Sequence, residues 1–348
     1  MKQTPAISRR NFIKIGATAS AALATGAPFI YAEDKSGLKT PVLGSGTHQY
    51  EVTHDWAQLP NDIAFGNTHG VAEDSQGRIY IKHTVNSRSQ KSDAVCVFDA
   101  DGKFIKSWGA EFRGGAHGMH LVKENGEEVF YLCDTNRRNL VKTTLDGKVI
   151  WEKGCPTESG KYENPEKYVP TNVATAPDGT LFVADGYGSN FIHIYKTDGT
   201  YVSTFGGGGN EPGQTSCPHG LMVDTRGKEP LLVVADRGNR RLQYFTLDGK
   251  HVSFVTDELR APCHFDQMGT DLLIPDLESR VTLFDKDNKL IVHLGDGTHY
   301  NGIREKDRSA FTPGKFVAPH GAAFDHEGNI FVAEWVEVGR VTKLKKIS

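Results

Sequence analysis

Five histidines in this chain occupy one kind of setting. The strings are Thr68-His69-Gly70-Val71, Ala116-His117-Gly118-Met119, Pro218-His219-Gly220-Leu221, Pro262-Cys263-His264-Phe265 and Pro319-His320-Gly321-Ala322. A lone histidine in a strand is more often a satisfied core residue, but five at equivalent positions of a repeat form a donor set. Converging neutral imidazoles suit zinc or another divalent transition ion, whereas calcium and magnesium take oxygen ligands. Three such ligands and an open position would make a Lewis acid able to bind water or a substrate oxygen. A dry channel of uncharged histidines without an ion is the competing reading. Two further residues, Tyr187 and Arg237, stand out in polar loops that otherwise repeat Asp, Asn and Arg. The repeated residues have a structural job, since Asp and Asn cap turns and Arg braces a neighbour. Tyr187 and Arg237 matter chemically only if they face the mouth of a shared channel.

The elements that would bring these residues together are legible as a repeat. Five units share a short His- or Pro-led apolar run, a turn with glycine, a β-rich run ending in an acidic residue, a polar loop, another β run, then Asp-Gly and a final strand. The leading positions, 69, 117, 172, 219, 264 and 320, are 48, 55, 47, 45 and 56 residues apart. That is the length of four short strands, one propeller blade. The expectation is an all-β, six-bladed β-propeller over 46–348, after an extended segment at 33–45. Open rings expose unpaired edges, so the strand pattern at Gln49–Trp56 is expected to complete the last blade. In such a fold the first strand of each blade lines the central channel.

Composition limits the partners. Lys+Arg 40 against Asp+Glu 43 gives a formal charge of -3, and no basic block or heptad pattern follows the first residues, which speaks against nucleic-acid binding. Residues 1–32 differ in kind. Ser8-Arg9-Arg10-Asn11-Phe12-Ile13-Lys14 precedes a weakly apolar run from Ile15 to Tyr31 and then Ala32. This reads as a twin-arginine export signal cleaved near Ala32, which implies the export machinery as a partner and a periplasmic or secreted mature protein without a membrane span. A spanning helix is the weaker reading, because Gly16, Gly26 and Pro28 interrupt a run at the bottom of the spanning length. In an oxidising compartment Cys96, Cys133, Cys155, Cys217 and Cys263 can pair, but five leave at least one single. Cys96 and Cys133 lie inside strand patterns and read as core residues.

From about Ala116 to Lys343 the motifs resemble NHL-type propellers. More specifically, they are similar to the peptidyl-α-hydroxyglycine lyases, the second catalytic domain of peptide-amidating enzymes. The resemblance rests on Ala116-His117-Gly118, the Ala184–Asn190 loop, Pro218-His219-Gly220-Leu221, the Ala235–Phe245 run and Pro319-His320-Gly321. It implies His117, His219 and His320 as ligands of a catalytic zinc, Tyr187 as base and Arg237 as clamp for a substrate carboxylate. The activity implied is C–N cleavage of an α-hydroxyglycine-type substrate. His69 and His264 are further ligand candidates outside that set. Gly321 stands where the family has an aspartate that binds calcium, so the resemblance does not carry calcium over. Gly188 replaces the cysteine after the family's tyrosine, which removes that disulfide. The family's second catalytic arginine has no match near Ile81-Lys82-His83-Thr84, and Arg88 is the nearest substitute. Lactonase-type propellers need carboxylate and Asn around calcium, which the histidines here speak against. Two readings stand against the enzyme: a non-enzymatic NHL-type propeller binding a ligand or partner on its rim, and a structural metal protein.

Overall fold

The computed structural model describes residues 40–297 and 302–348. The export signal placed at 1–32 lies outside the described residues, as do residues 33–39 of the extended segment. No helix among the described residues is long and apolar enough to cross a membrane.

Residues 40–348 form six antiparallel sheets arranged as blades. The first is Thr68–Glu73, Ile79–His83, Val95–Phe98 and Phe104–Trp108, and the second Ala116–Glu124, Glu127–Asp134, Asn139–Thr144 and Val149–Lys153. The third is Asn172–Thr175, Leu181–Ala184, Phe191–Tyr195 and Tyr201–Gly206, and the fourth Pro218–Asp224, Leu231–Asp236, Arg241–Phe245 and His251–Val255. The fifth is Asp266–Met268, Asp271–Asp276, Arg280–Phe284 and Leu290–Leu294. The sixth takes Pro319–Phe324, Ile330–Glu334 and Arg340–Lys346 from the C-terminal end and adds His48–Thr53 and Val42–Ser45 from the N-terminal side. Val52 pairs with Leu344 and Tyr50 with Lys346, so chain segments far apart in sequence share one sheet. Val42–Ser45 is thus a strand within the stretch read as an extended segment.

A blade alone would leave an apolar face wet; stacking blades buries it. Between the first and second blades Tyr80, Val97, Phe130 and Leu132 pack together, all inaccessible to solvent. Between the sixth and first, Trp56 meets Phe98 and Phe331 edge-on, at 5.7 and 4.8 Å between ring centroids. Each second strand ends in a polar residue, or in the third blade is followed by one, Asp185, that ties down the loops above the channel. Asp236 accepts from the Ser216 amide (2.6 Å), Asn239 Nδ2 (2.9 Å) and Arg241 Nε (2.7 Å). Arg240 reaches Glu278 in the next blade at 2.8 Å, the bracing role expected of the repeated arginines.

Candidate metal centre

In four blades the inner strand begins out of register. Thr68 pairs with His83 but Gly70 with Lys82; Ala116 pairs with Asp134 but Met119 with Leu132. Pro218 pairs with Asp236 but Leu221 with Val234, and Pro319 with Glu334 but Gly321 with Ala333. The residues inside these irregularities are His69, His117, His219 and His320. A bulge re-aims its side chain, and here all four imidazoles turn inward and are buried. The following glycine is demanded by the neighbouring blade. A Cβ at Gly118 would lie 2.5 Å from the Thr171 carbonyl oxygen, and one at Gly220 would lie 2.5 Å from that of Cys263. This close approach lets each imidazole donate sideways. Nδ1–H of His117 bonds Thr171 O at 2.6 Å, that of His219 bonds Cys263 O at 2.7 Å, and that of His320 bonds His69 O at 3.2 Å.

Those bonds fix the tautomers, because a carbonyl only accepts. The Nε2 atoms of His117, His219 and His320 therefore carry lone pairs. Ring centroids are 4.8 Å apart for His117–His219, 4.6 Å for His219–His320, 4.9 Å for His117–His320, 4.9 Å for His69–His117 and 4.4 Å for His69–His320. One nitrogen from each of His69, His117 and His320 lies within 4.8 Å of the others. Burial pushes the His117 imidazolium down to about 3 and holds those of His69, His219 and His320 well below the usual histidine range, with neighbouring positive groups adding to the effect. The ring is thus neutral and rich in lone pairs.

Tyr187 enters from the Asp185–Asn190 loop. Asp185 holds that loop by accepting from the amides of Val169 and Ser189, both at 2.6 Å, and from the Tyr162 hydroxyl at 2.7 Å. The Tyr187 oxygen lies 3.1 Å from His117 Nε2 and 2.9 Å from His219 Nε2, while the residue keeps 43% of its surface open. A phenol has one proton for two acceptors, so one lone pair is left facing the phenol oxygen. A cation resolves that conflict, and imidazole is its natural ligand; the residues present fit a divalent transition ion. Arg237 stands on the outer side, its guanidinium donating to Tyr187 Oη at 3.3 Å, Cys217 Sγ at 3.2 Å and Cys263 Sγ at 3.7 Å. Thiols are weak acceptors, so an incoming carboxylate can replace them on the fork. Burial pushes the Tyr187 phenol up to about 12, against the opposing Arg237 charge.

His264 does not join the ring, and the register gives the reason. Pro262 bridges Asp276 as Pro218 pairs with Asp236, so the counterpart of His219 is Cys263. His264 is one residue further on, and a one-residue slip reverses where a side chain points. It lines a cavity of about 210 Å³, one to four residues further along the inner strands, with His120, Asp266 and Met119. Arg88 is exposed and holds Asn86 Oδ1. Instead Lys82 is the buried cation of the first blade, its ammonium donating to the carbonyls of Gly118 (2.9 Å) and Cys133 (2.8 Å) and lowered by burial to about 8. Cys263 and Lys82 are the residues missed; the repeated proline before the ring position was the available signal for Cys263. All five cysteines are free thiols, Cys96 and Cys133 in the core as expected.

No family model matches the chain. NHL repeat-containing protein 3 of Homo sapiens is 25% identical over 300 residues, spanning 82% of this chain and 81% of that protein. Peptidyl-alpha-hydroxyglycine alpha-amidating lyase 1 of Drosophila melanogaster is 27% identical over 322 residues, spanning 79% of this chain and 56% of that protein. This chain is a propeller homologous to both. A solved streptogramin B lyase superposes with a TM-score of 0.55 over 85% of this chain and 97% of that one, at 13% identity, which shows the shared propeller fold.

Proposed function

We propose that the protein is an exported, metal-dependent lyase acting on a small or peptide substrate of the α-hydroxyglycine type. The observation that carries this reading is the Tyr187 hydroxyl between the Nε2 atoms of His117 and His219, with the Arg237 guanidinium beside it. His117, His219 and His320 would hold the ion, which when bound supplies Lewis acidity toward the substrate hydroxyl. Zinc is the first candidate from the lyase resemblance.

The chain's own groups have separable roles. Arg237 pairs with the substrate carboxylate and orients it toward the ring. Tyr187 acts as its phenolate, its own proton already lost and its charge facing Arg237; it takes the hydroxyl proton, the C–N bond breaks as the C–O bond becomes a carbonyl, and that proton passes to the departing nitrogen. The products are glyoxylate and an amide. An ion on the imidazole lone pairs would leave the phenol proton no nitrogen to bond, and together with the Arg237 charge it would offset the burial that favours the neutral phenol. Export by the twin-arginine route, with a periplasmic or secreted destination, belongs to the same proposal and rests on residues 8–32.

The experiment is glyoxylate release from an α-hydroxyglycine peptide by the mature protein with its metal analysed. Turnover that requires both metal and Tyr187 supports the lyase. Stoichiometric metal without turnover favours a non-enzymatic propeller, a reading supported by the match that spans 81% of NHL repeat-containing protein 3.

A further inference from the structure

His69 is oriented unlike the other ring histidines. Its Nδ1 lies 3.3 Å from His320 Nε2 instead of donating to a carbonyl of the next blade. His320 Nε2 carries a lone pair, because its Nδ1–H is engaged with His69 O. The short contact therefore needs the proton on His69 Nδ1, and this leaves His69 Nε2 as a bare lone pair. That atom is buried with no hydrogen-bond partner, in a residue only 7% exposed. A buried polar atom without a partner costs roughly 1–3 kcal/mol, so a fold that keeps one at its axis has a use for it. His69 also belongs to the three-nitrogen group with His117 and His320, and its ring touches both of theirs.

We propose that His69 is a fourth ligand of the resident ion, which then binds four imidazoles from the first, second, fourth and sixth blades. This rests on the metal reading above and changes its chemistry. Four protein ligands complete the tetrahedral shell typical of a closed zinc site, with no position left for substrate. An ion that holds four imidazoles and still admits a substrate oxygen takes five or six ligands, the preference of iron(II), nickel(II) or copper(II). The ring therefore selects against tetrahedral coordination, and His69 is the residue that does so.

The test is X-ray absorption and visible spectroscopy of the full mature protein loaded with cobalt(II), alongside His69→Ala. The expected result is four imidazoles in the wild-type shell and the weak visible bands of five- or six-coordinate cobalt. His69→Ala should then show three imidazoles and bind cobalt at least tenfold more weakly. A wild-type shell of three imidazoles, or identical spectra and affinity in the variant, overturns the proposal while leaving the metal reading intact. Failure of the wild type to bind any divalent transition ion brings down both. The wild-type count of imidazoles decides the matter even where the variant does not fold.

Discussion

The His-Gly pairs make a prediction about stability that is independent of any ion. Gly220 faces the fifth blade so closely that an added Cβ would stand 2.5 Å from Cys263 O and 2.8 Å from His264 Cα, both backbone atoms that no rotamer can move. Relief requires the blades to part by about half an ångström or more, and overpacking of this kind costs roughly 1–3 kcal/mol. The same movement stretches the 2.7 Å bond from His219 Nδ1 to Cys263 O, worth about 1 kcal/mol. Gly220→Ala should therefore destabilise by about 2–4 kcal/mol. At about 2 °C per kcal/mol for a chain of this size, the thermal midpoint should fall by about 4–8 °C. Gly154→Ala is the control, since nothing lies within 4 Å of its Cβ position and its φ is not positive. Its midpoint should move by no more than about 2 °C in either direction. Thermal unfolding followed by circular dichroism, on metal-free protein, reads both. Equal midpoints for the two variants would show that the blades are not held at contact distance by these glycines, and the account of how the imidazoles are aimed would fail with it.

Other outcomes follow from the same geometry. Tyr187→Phe should lower glyoxylate release by about 10²-fold or more while metal content stays at the wild-type level; unchanged turnover would place the proton transfer on another group. His320→Ala should lose bound metal and His264→Ala should retain it, a contrast that elemental analysis settles, since His264 lines the cavity beyond the ring. Acid should destabilise the metal-free protein between about pH 6.5 and 5. His83, His117 and His193 are each lowered by burial to about 3, so their contribution is present above the unfolded pKa and is lost as pH falls below it, at about 2 kcal/mol each over that range. Asp185 and Asp266, both raised by burial to about 6, return about 1 kcal/mol each over the same interval, so these five groups give a net loss of a few kcal/mol, and His54, His120 and His264, lowered to about 4, add to it. A midpoint that is flat or rises on acidification would contradict it.

The architecture was legible because each blade writes the same physical constraints into the chain. A strand that must pack on both faces reads as a continuous apolar run, as in Leu232–Ala235, and the turns between strands need glycine or Asn at positive φ, as at Gly249 and Asn288. The site was legible only to within one residue. His264 looks like its counterparts because a histidine follows a proline in the expected window. What decides its direction is the ladder: Pro262 bridges Asp276, and counting from that bridge places Cys263 on the axis. No composition or spacing argument reveals a register set by backbone pairing, and in a period-two element an error of one residue reverses the side chain.

The same logic shows what the glycine after each ring histidine is for. Ring histidines are followed by Gly70, Gly118, Gly220 and Gly321, whereas in the fifth blade the residue after the ring position is His264 itself. Where glycine follows, the neighbouring backbone comes close enough to take the imidazole Nδ1–H, as His117, His219 and His320 demonstrate. His69 has the glycine but directs Nδ1 at His320 instead, and its Nε2 is left bare. A histidine followed by glycine in this repeat thus marks an imidazole whose inward nitrogen is presented as a lone pair. Three of the four do so with a carbonyl holding the other nitrogen. The exception is the one whose Nδ1–H is committed to a fellow ligand, and its ring must turn before the bare His69 Nε2 and His320 Nε2 can both face the same cation. Ion binding by all four imidazoles should therefore turn the His69 ring, and because one more imidazole competes with protons for the ion, the apparent affinity should weaken at low pH more steeply in the wild type than in His69→Ala. Equal pH slopes in the two proteins would mean that His69 stays out of the coordination shell.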